Sequence, residues 1–191
     1  MRGRPIISTK TPKEIMIEIG KECQSCGHCC RFGAGYVINE DIPRIAKHLG
    51  ITEDDFRKTY LVEQKRLNSK AYKLKTVKTN SRKRYGRCIF FDEERKCLIH
   101  EVKPLYCRIA TCADKKGEAL QWFDLNMLLN LEDPESIRQW NELIKFKEPI
   151  TGAMLEELVP DPELRLKILT YEIFSEKELK AELEKRRKRE K

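Results

Sequence analysis

Apolar residues along this chain fall into short periodic runs separated by charge, and their spacing predicts several helices, a strand and a hairpin-like knuckle. In residues 39–50, Ile42, Ile45, Ala46 and Leu49 sit at i, i+3, i+4 and i+7, one face of a helix. Asn39 is the expected cap, acids follow in the first turn, and Gly50 is the stop. Residues 51–64 read as a second helix, opened by Thr52 with Asp55 at the capping-box position. The period then changes to two. Tyr72 and Leu74 alternate with Lys73 and Lys75, which predicts a strand. Residues 87–101 read as a hairpin-like knuckle in which Cys88 and Cys97 flank an acidic turn, and Pro104 stands three residues before Cys107. Beyond residue 117 the pattern is helical. Asp133-Pro134 and Asp161-Pro162 each join a cap to a proline at the first helical position. Ser175 and Glu178 form a capping box ahead of the acid-to-base pairs Glu176–Lys180 and Glu182–Arg186.

These elements predict an α+β fold: an irregular, metal-stapled cysteine-cluster domain over residues 20–115, preceded by an arm (1–19) and followed by a helical extension (116–191). Composition sharpens the expectation. Of 191 residues, 40% are hydrophobic and 37% charged, so the core is modest, and a small core needs staples. The first twenty residues hold no apolar run of signal-peptide length. No stretch approaches the roughly 20 apolar residues that span a bilayer. A cytoplasmic protein without membrane insertion is expected.

Sulfur is the dominant chemistry. Cys23, Cys26, Cys29 and Cys30 crowd into eight residues, while Cys88, Cys97, Cys107 and Cys112 lie far downstream. In a reducing compartment such cysteines are metal ligands or redox groups rather than a disulfide framework. The Lys, Glu and Arg richness also suits hyperthermophile proteins, which do keep intracellular disulfides. Cys23, Cys26 and Cys29 follow C-x2-C-x2-C, the curl with which bacterial ferredoxins wrap a cubane cluster. Zinc knuckles contribute two cysteines per turn, with a second pair from elsewhere. The spacing therefore leans towards an iron–sulfur cluster, 4Fe-4S for preference, with zinc as the other candidate. Neighbouring side chains diverge by about 100° in a helix and 180° in a strand. Cys29 and Cys30 are thus poorly placed to grip one small ion together. Eight thiols also permit two sets of four.

Charge is uneven. Residues 57–87 carry 12 basic residues against the single acid Glu63, whereas the rest of the chain is close to balanced. With Tyr60, Tyr72 and Tyr85 interleaved, that segment suits nucleic-acid binding. It equally suits a solvated face, or cations that offset an anionic thiolate centre. His28 lies between presumed ligands, either as a zinc ligand or as a spacer. His100 can donate to a sulfur or pack on the knuckle, and His48 matches a helix C-terminus. No Gly-rich phosphate loop, Ser/His/Asp arrangement or recognisable carboxylate pair is present, so catalysis would rest on the cluster or an exposed cysteine.

The Cys-x-x-Cys-Gly-x-Cys-Cys-Arg start, the Asp-Ile-x-Arg-Ile helix, Cys-x-Phe, Cys-x-Ile and Lys-Pro-Leu-Tyr-Cys-Arg resemble the YkgJ-type cysteine-cluster family, a zinc- or iron-chelating domain group. The resemblance covers roughly residues 20–112. It implies Cys23, Cys26, Cys29, Cys30, Cys88, Cys97 and Cys107 as metal ligands. Lys103-Pro104 stands where the family shows Arg-Pro, and His100 where it shows Tyr; Cys112 lies outside the usual pattern. Flagellin lysine methylases are similar in their cysteine cluster, which brings a methyl-transfer enzyme into view beside a metal-binding protein and a nucleic-acid-binding module.

Overall fold

Short helices and three small antiparallel-rich sheets give the chain an α+β fold in a computed structural model that describes residues 5–78, 85–112, 114 and 116–189. The chain divides into two units. One comprises Pro12–Gln64 and Lys70–Lys115 and holds all eight cysteines; the other comprises Met1–Thr11, Lys65–Ser69 and Lys116–Lys191.

In the cysteine-bearing unit, α1 (Lys13–Gly20) opens after Pro12 and buries Met16 and Ile19. The five-residue α2 (His28–Phe32) leads to β1 (Tyr36–Val37). Helix α3 (Asp41–Leu49) buries Ile42, Ile45 and Ala46, the face its spacing predicts, and ends at Gly50 in the left-handed region at φ 68°. Asn39 does not cap it, because it stands two positions before the first helical residue. The Asp41 carboxylate instead reaches outwards, accepting from the backbone N–H of Ile38 at 3.2 Å and of Leu105 at 3.1 Å. Helix α4 (Glu53–Tyr60) starts as expected, with Thr52 Oγ1 accepting from the Asp55 N–H at 3.1 Å.

That helix stops at Tyr60 rather than running to Gln64. Leu61–Arg66 is β2, which lies beside β3 (Ser69–Leu74), and β1 pairs with the other edge of β3 with Val37 opposite Tyr72. Leu67 and Asn68, at φ 50° and 54°, turn the chain in two residues, as a type I′ turn requires. Strand β4 (Thr76–Val77) pairs with β5 (Arg87–Cys88), and β6 (Phe91–Asp92) with β7 (Lys96–Cys97). Asp92 closes the acidic turn of the latter hairpin by accepting from the N–H groups of Glu94 and Arg95. Cys88 lies outside that hairpin, opposite Thr76. Helix α5 (Leu105–Ile109) follows Pro104 and carries Cys107. Ile42, Ile45, Phe56, Leu74, Phe90 and Ile99 lead the core.

In the other unit, α6 (Glu118–Phe123) continues as a π-helical turn, Asp124–Leu128. It is followed by α7 (Pro134–Ile144), α8 (Leu155–Leu158), α9 (Pro162–Leu169) and α10 (Glu176–Arg189). Asp133 and Asp161 cap α7 and α9 through the N–H groups of Glu135 and Leu164, and Ser175 caps α10 through Glu178. Ile137, Leu164, Ile168 and Leu179 lead its core. Arg66, next to the Leu67–Asn68 turn, is held by both oxygens of the buried Asp124. No helix among the described residues is long and apolar enough to cross a membrane.

Candidate metal centre

Two close backbone approaches build the site. Helix α1 ends against α5 at Gly20, where an added Cβ would lie 1.7 Å from the Arg108 carbonyl oxygen. Only glycine permits that contact, and the chain then runs directly into Cys23. Gly35 does the same on the opposite side: a Cβ there would sit 2.3 Å from Cys107 Sγ. Gly27, at φ 75°, starts α2 with its Cα against the Phe91 ring. The carboxylate of Asp41 ties α3 to the first turn of α5, so three elements fix where Cys107 stands.

The result is one cavity of about 290 Å³ bordered by six thiols: Cys23, Cys29, Cys30, Cys88, Cys97 and Cys107. Leu74, Phe90, Ile99 and Tyr106 supply apolar wall, and Lys73, Lys96, Lys103 and His100 supply polar edge. Cys26 and Cys112 do not border the cavity; they lie exposed, and the neighbouring Cys26 pushes the Cys112 thiol up. The eight cysteines are all free thiols, grouped six and two rather than four and four. The doublet also departs from expectation. Although neighbours on a helix diverge, Cys29 and Cys30 both face the cavity, with their sulfurs 3.9 Å apart.

Electrostatics set the thiols apart from one another. The hydrogen bond with Cys30 holds the Cys29 thiol down to about 6, while the same bond and burial push Cys30 far up. Burial pushes Cys88 up to about 11 and raises Cys97 and Cys107, and neighbouring thiols add to the rise. The Lys103 ammonium pulls the other way on Cys29, Cys97 and Cys107. His100 borders the cavity and meets Ser25 Oγ at 3.4 Å, and burial lowers its pKa. His28 is exposed and packs its ring 5.0 Å from Phe32, outside the cavity. His48 ends α3 in solvent.

The basic segment is partly committed within the fold. Arg57 and Lys70 both lie over the Tyr72 ring, and Lys70 also pairs with Glu63 at 2.6 Å. Tyr60 is stacked between Phe56 and Phe90, and exposed Tyr85 meets Phe32 edge-on. Residues 79–84 of that segment lie outside the described residues.

Compared with known protein families, residues 22–126 match the family model CxxCxxCC, described as "Putative zinc- or iron-chelating domain". The match covers more than half of the chain and contains all eight cysteines. The chain belongs to the CxxCxxCC family. No curated protein matches it, and no solved structure does.

The donor chemistry of this CxxCxxCC member suits the metals named for its family. Thiolates are soft ligands that select zinc and iron–sulfur centres. Metal–sulfur bonds of about 2.3 Å in tetrahedral geometry place two sulfurs roughly 3.8 Å apart, close to the 3.9 Å between Cys29 and Cys30. Among the described residues, no three donors stand close enough together to grip one ion. Closing such a site therefore requires the other thiols to move in towards the doublet, which couples binding to local ordering. Three contributors escaped the sequence reading: Gly20, Gly35 and Asp41. The glycine punctuation around residues 33–35 was a usable signal for close approach; the Asp41–Leu105 bond spans 64 residues and left no local trace.

Proposed function

We propose that the six-thiol cavity holds a thiolate-bound metal centre, an iron–sulfur cluster in preference to a single zinc ion. What carries the reading is six thiols around one cavity of about 290 Å³, more donors and more room than one four-coordinate ion uses. The cluster would supply an electron-transfer or Lewis-acid centre when bound. The chain's own part is to hold the thiols in place: Cys88 on β5, Cys97 on β7, Cys107 on α5, Cys29 and Cys30 on α2, and Cys23 after α1; Cys88 is buried, while Cys29 stays open to solvent. Lys103 offsets part of the negative charge that thiolates bring. Protons leave as the metal binds, since thiols ligate only as thiolates, so affinity falls with falling pH.

Zinc is the second reading, supported by the 3.9 Å between the Cys29 and Cys30 sulfurs, the span one tetrahedral ion imposes. Anaerobic purification decides between them. The expected result is brown protein with iron and acid-labile sulfide in matching amounts. Colourless protein carrying stoichiometric zinc would reverse the order. Cys29→Ser and Cys30→Ser should each lose the metal, and Cys112→Ser should keep most of it; full retention in either doublet variant would remove the cavity as the site.

A further inference from the structure

Two thiols stand outside the six-thiol cavity, and the fold brings them to one place. Helix α1 ends against the last turn of α5, where the Gly20 backbone packs on that of Arg108 and Ile109. Two loops leave this junction. One bends at Cys23, whose N–H donates to the Gly20 carbonyl at 3.1 Å, and runs on to α2. Within it Ser25 and Gly27 border the thiol cavity, whereas Cys26 between them does not. The other loop follows α5; Ala110 still borders the cavity, and Cys112, two residues on, does not. Both thiols are exposed, and Cys26 is the chief influence on the Cys112 thiol, ahead of Cys29 and Cys23.

A metal does not account for this pair, since no third donor joins it among the described residues. Core packing does not either, because both side chains are open to solvent. The chemistry left to two exposed neighbouring thiols is exchange with a disulfide. We propose that Cys26 and Cys112 form a reversible disulfide, made by exchange with a low-molecular-weight disulfide of the glutathione class, while the metal stays in the six-thiol cavity. One protein thiolate attacks a sulfur of the small disulfide, giving a mixed disulfide and releasing one small thiolate. The second protein thiolate then attacks the protein sulfur of that mixed disulfide and releases the other. Two protein thiols are thereby oxidised, one small disulfide is reduced to two thiols, and the two protein protons end on those thiols. The doublet offers no rival bond. Neighbouring Cα atoms lie about 3.8 Å apart across a trans peptide, short of the roughly 4.4–6.8 Å that a disulfide spans. Once formed, the bond joins the loop between Cys23 and Cys29 to the segment behind Cys107. It ties two walls of the thiol cavity together, so the oxidised chain releases its metal more slowly. The proposal rests on the six-thiol reading only in leaving these two cysteines out of the metal set.

The test uses the full chain with its metal in place, equilibrated anaerobically in glutathione buffers of rising oxidised fraction. Samples are acid-quenched, alkylated and mapped as peptides, and metal content is measured in each. The expected product is a Cys26–Cys112 cross-linked peptide that accumulates with metal content unchanged and disappears on return to reduced glutathione. Cys112→Ser should stop at the mixed disulfide on Cys26, and Cys26→Ser at the mixed disulfide on Cys112, each with its metal retained. Transfer of metal to a chelator should be slower after oxidation than before. No cross-link in fully oxidised buffer, persistent glutathione adducts on both cysteines of the unaltered chain, metal lost in step with the bond, or transfer no slower after oxidation would overturn the proposal. Reduced protein that carries no metal would count against the metal reading alone: the cross-link is then still the expected product, and its absence still overturns the proposal.

Discussion

Cys29 is the cysteine whose chemistry is most distinct from its neighbours. With its thiol held down to about 6 by the hydrogen bond with Cys30, it is an exposed thiolate at neutral pH. In reduced, metal-free protein, iodoacetamide at neutral pH should therefore label Cys29 ahead of Cys88 and Cys107, with a labelling rate that rises through about pH 6. Peptide mapping by mass spectrometry reads this directly. Cys30→Ala removes the donor, so the midpoint should move towards the ordinary thiol range. Asp41 poses a different problem at the same scale. Buried at 3% exposure, it accepts from two backbone N–H groups and from Arg44. Asp41→Ala leaves the Leu105 N–H without its acceptor and should cost about 1–3 kcal/mol, measured by urea denaturation. The individual ligand candidates were legible in the sequence because thiols crowded at such spacing serve little besides metal binding and redox chemistry. Asp41 was not: an acid in the first turn of a helix ordinarily serves that helix alone, and this one reaches across 64 residues.

Elements carry the next level of constraint. Where α1 meets α5, Gly20→Ala forces the two backbones apart, because the 1.7 Å approach to the Arg108 carbonyl leaves no room for a methyl group. Overpacking of this kind costs about 1–3 kcal/mol. The expected outcome is a lower melting temperature together with reduced metal content, since both Cys23 and Cys107 are displaced. Gly33→Ala makes the control: open space surrounds that position, so melting and metal content should hold. Capped helices were the most legible elements. Thr52, Asp133, Asp161 and Ser175 each accept the N–H that their position predicts. The failure at residue 61 has a physical reason. Helical periodicity continues through Leu61, but the turn that ends β2 is built from Leu67 and Asn68, and leucine at positive φ is no signal for a hairpin. The Cys29–Cys30 doublet defies its spacing for a related reason. Divergence of side chains at their Cα atoms does not prevent two flexible thiols from meeting over one cavity.

For the whole molecule, the thiol-bearing unit should depend on metal in a way the other unit does not. Its core sits beside the six thiols of the proposed metal site, whereas α7, α9 and α10 hold their own apolar cluster. Removing metal with a strong chelator under reducing conditions should lower the first melting transition and speed hydrogen exchange in α2, α5 and β7. Amides of α7 and α9 should keep their protection; equal loss in both sets would contradict the idea. Residues 65–69 are grouped with Lys116–Lys191, although the rest of β2 and β3 belongs with the cysteines. Arg66 is bonded to Asp124, Asn68 to Gln139 and Asp133, and Leu67 is only 3% exposed. The two units are interleaved along the chain rather than strung end to end. A fragment ending at residue 115 would lose Asp124, Asp133 and Gln139 as bonding partners and bare Leu67, an invitation to self-association. The cysteine cluster is therefore not a portable cassette: to transplant it intact, one must move both units or redesign residues 65–69.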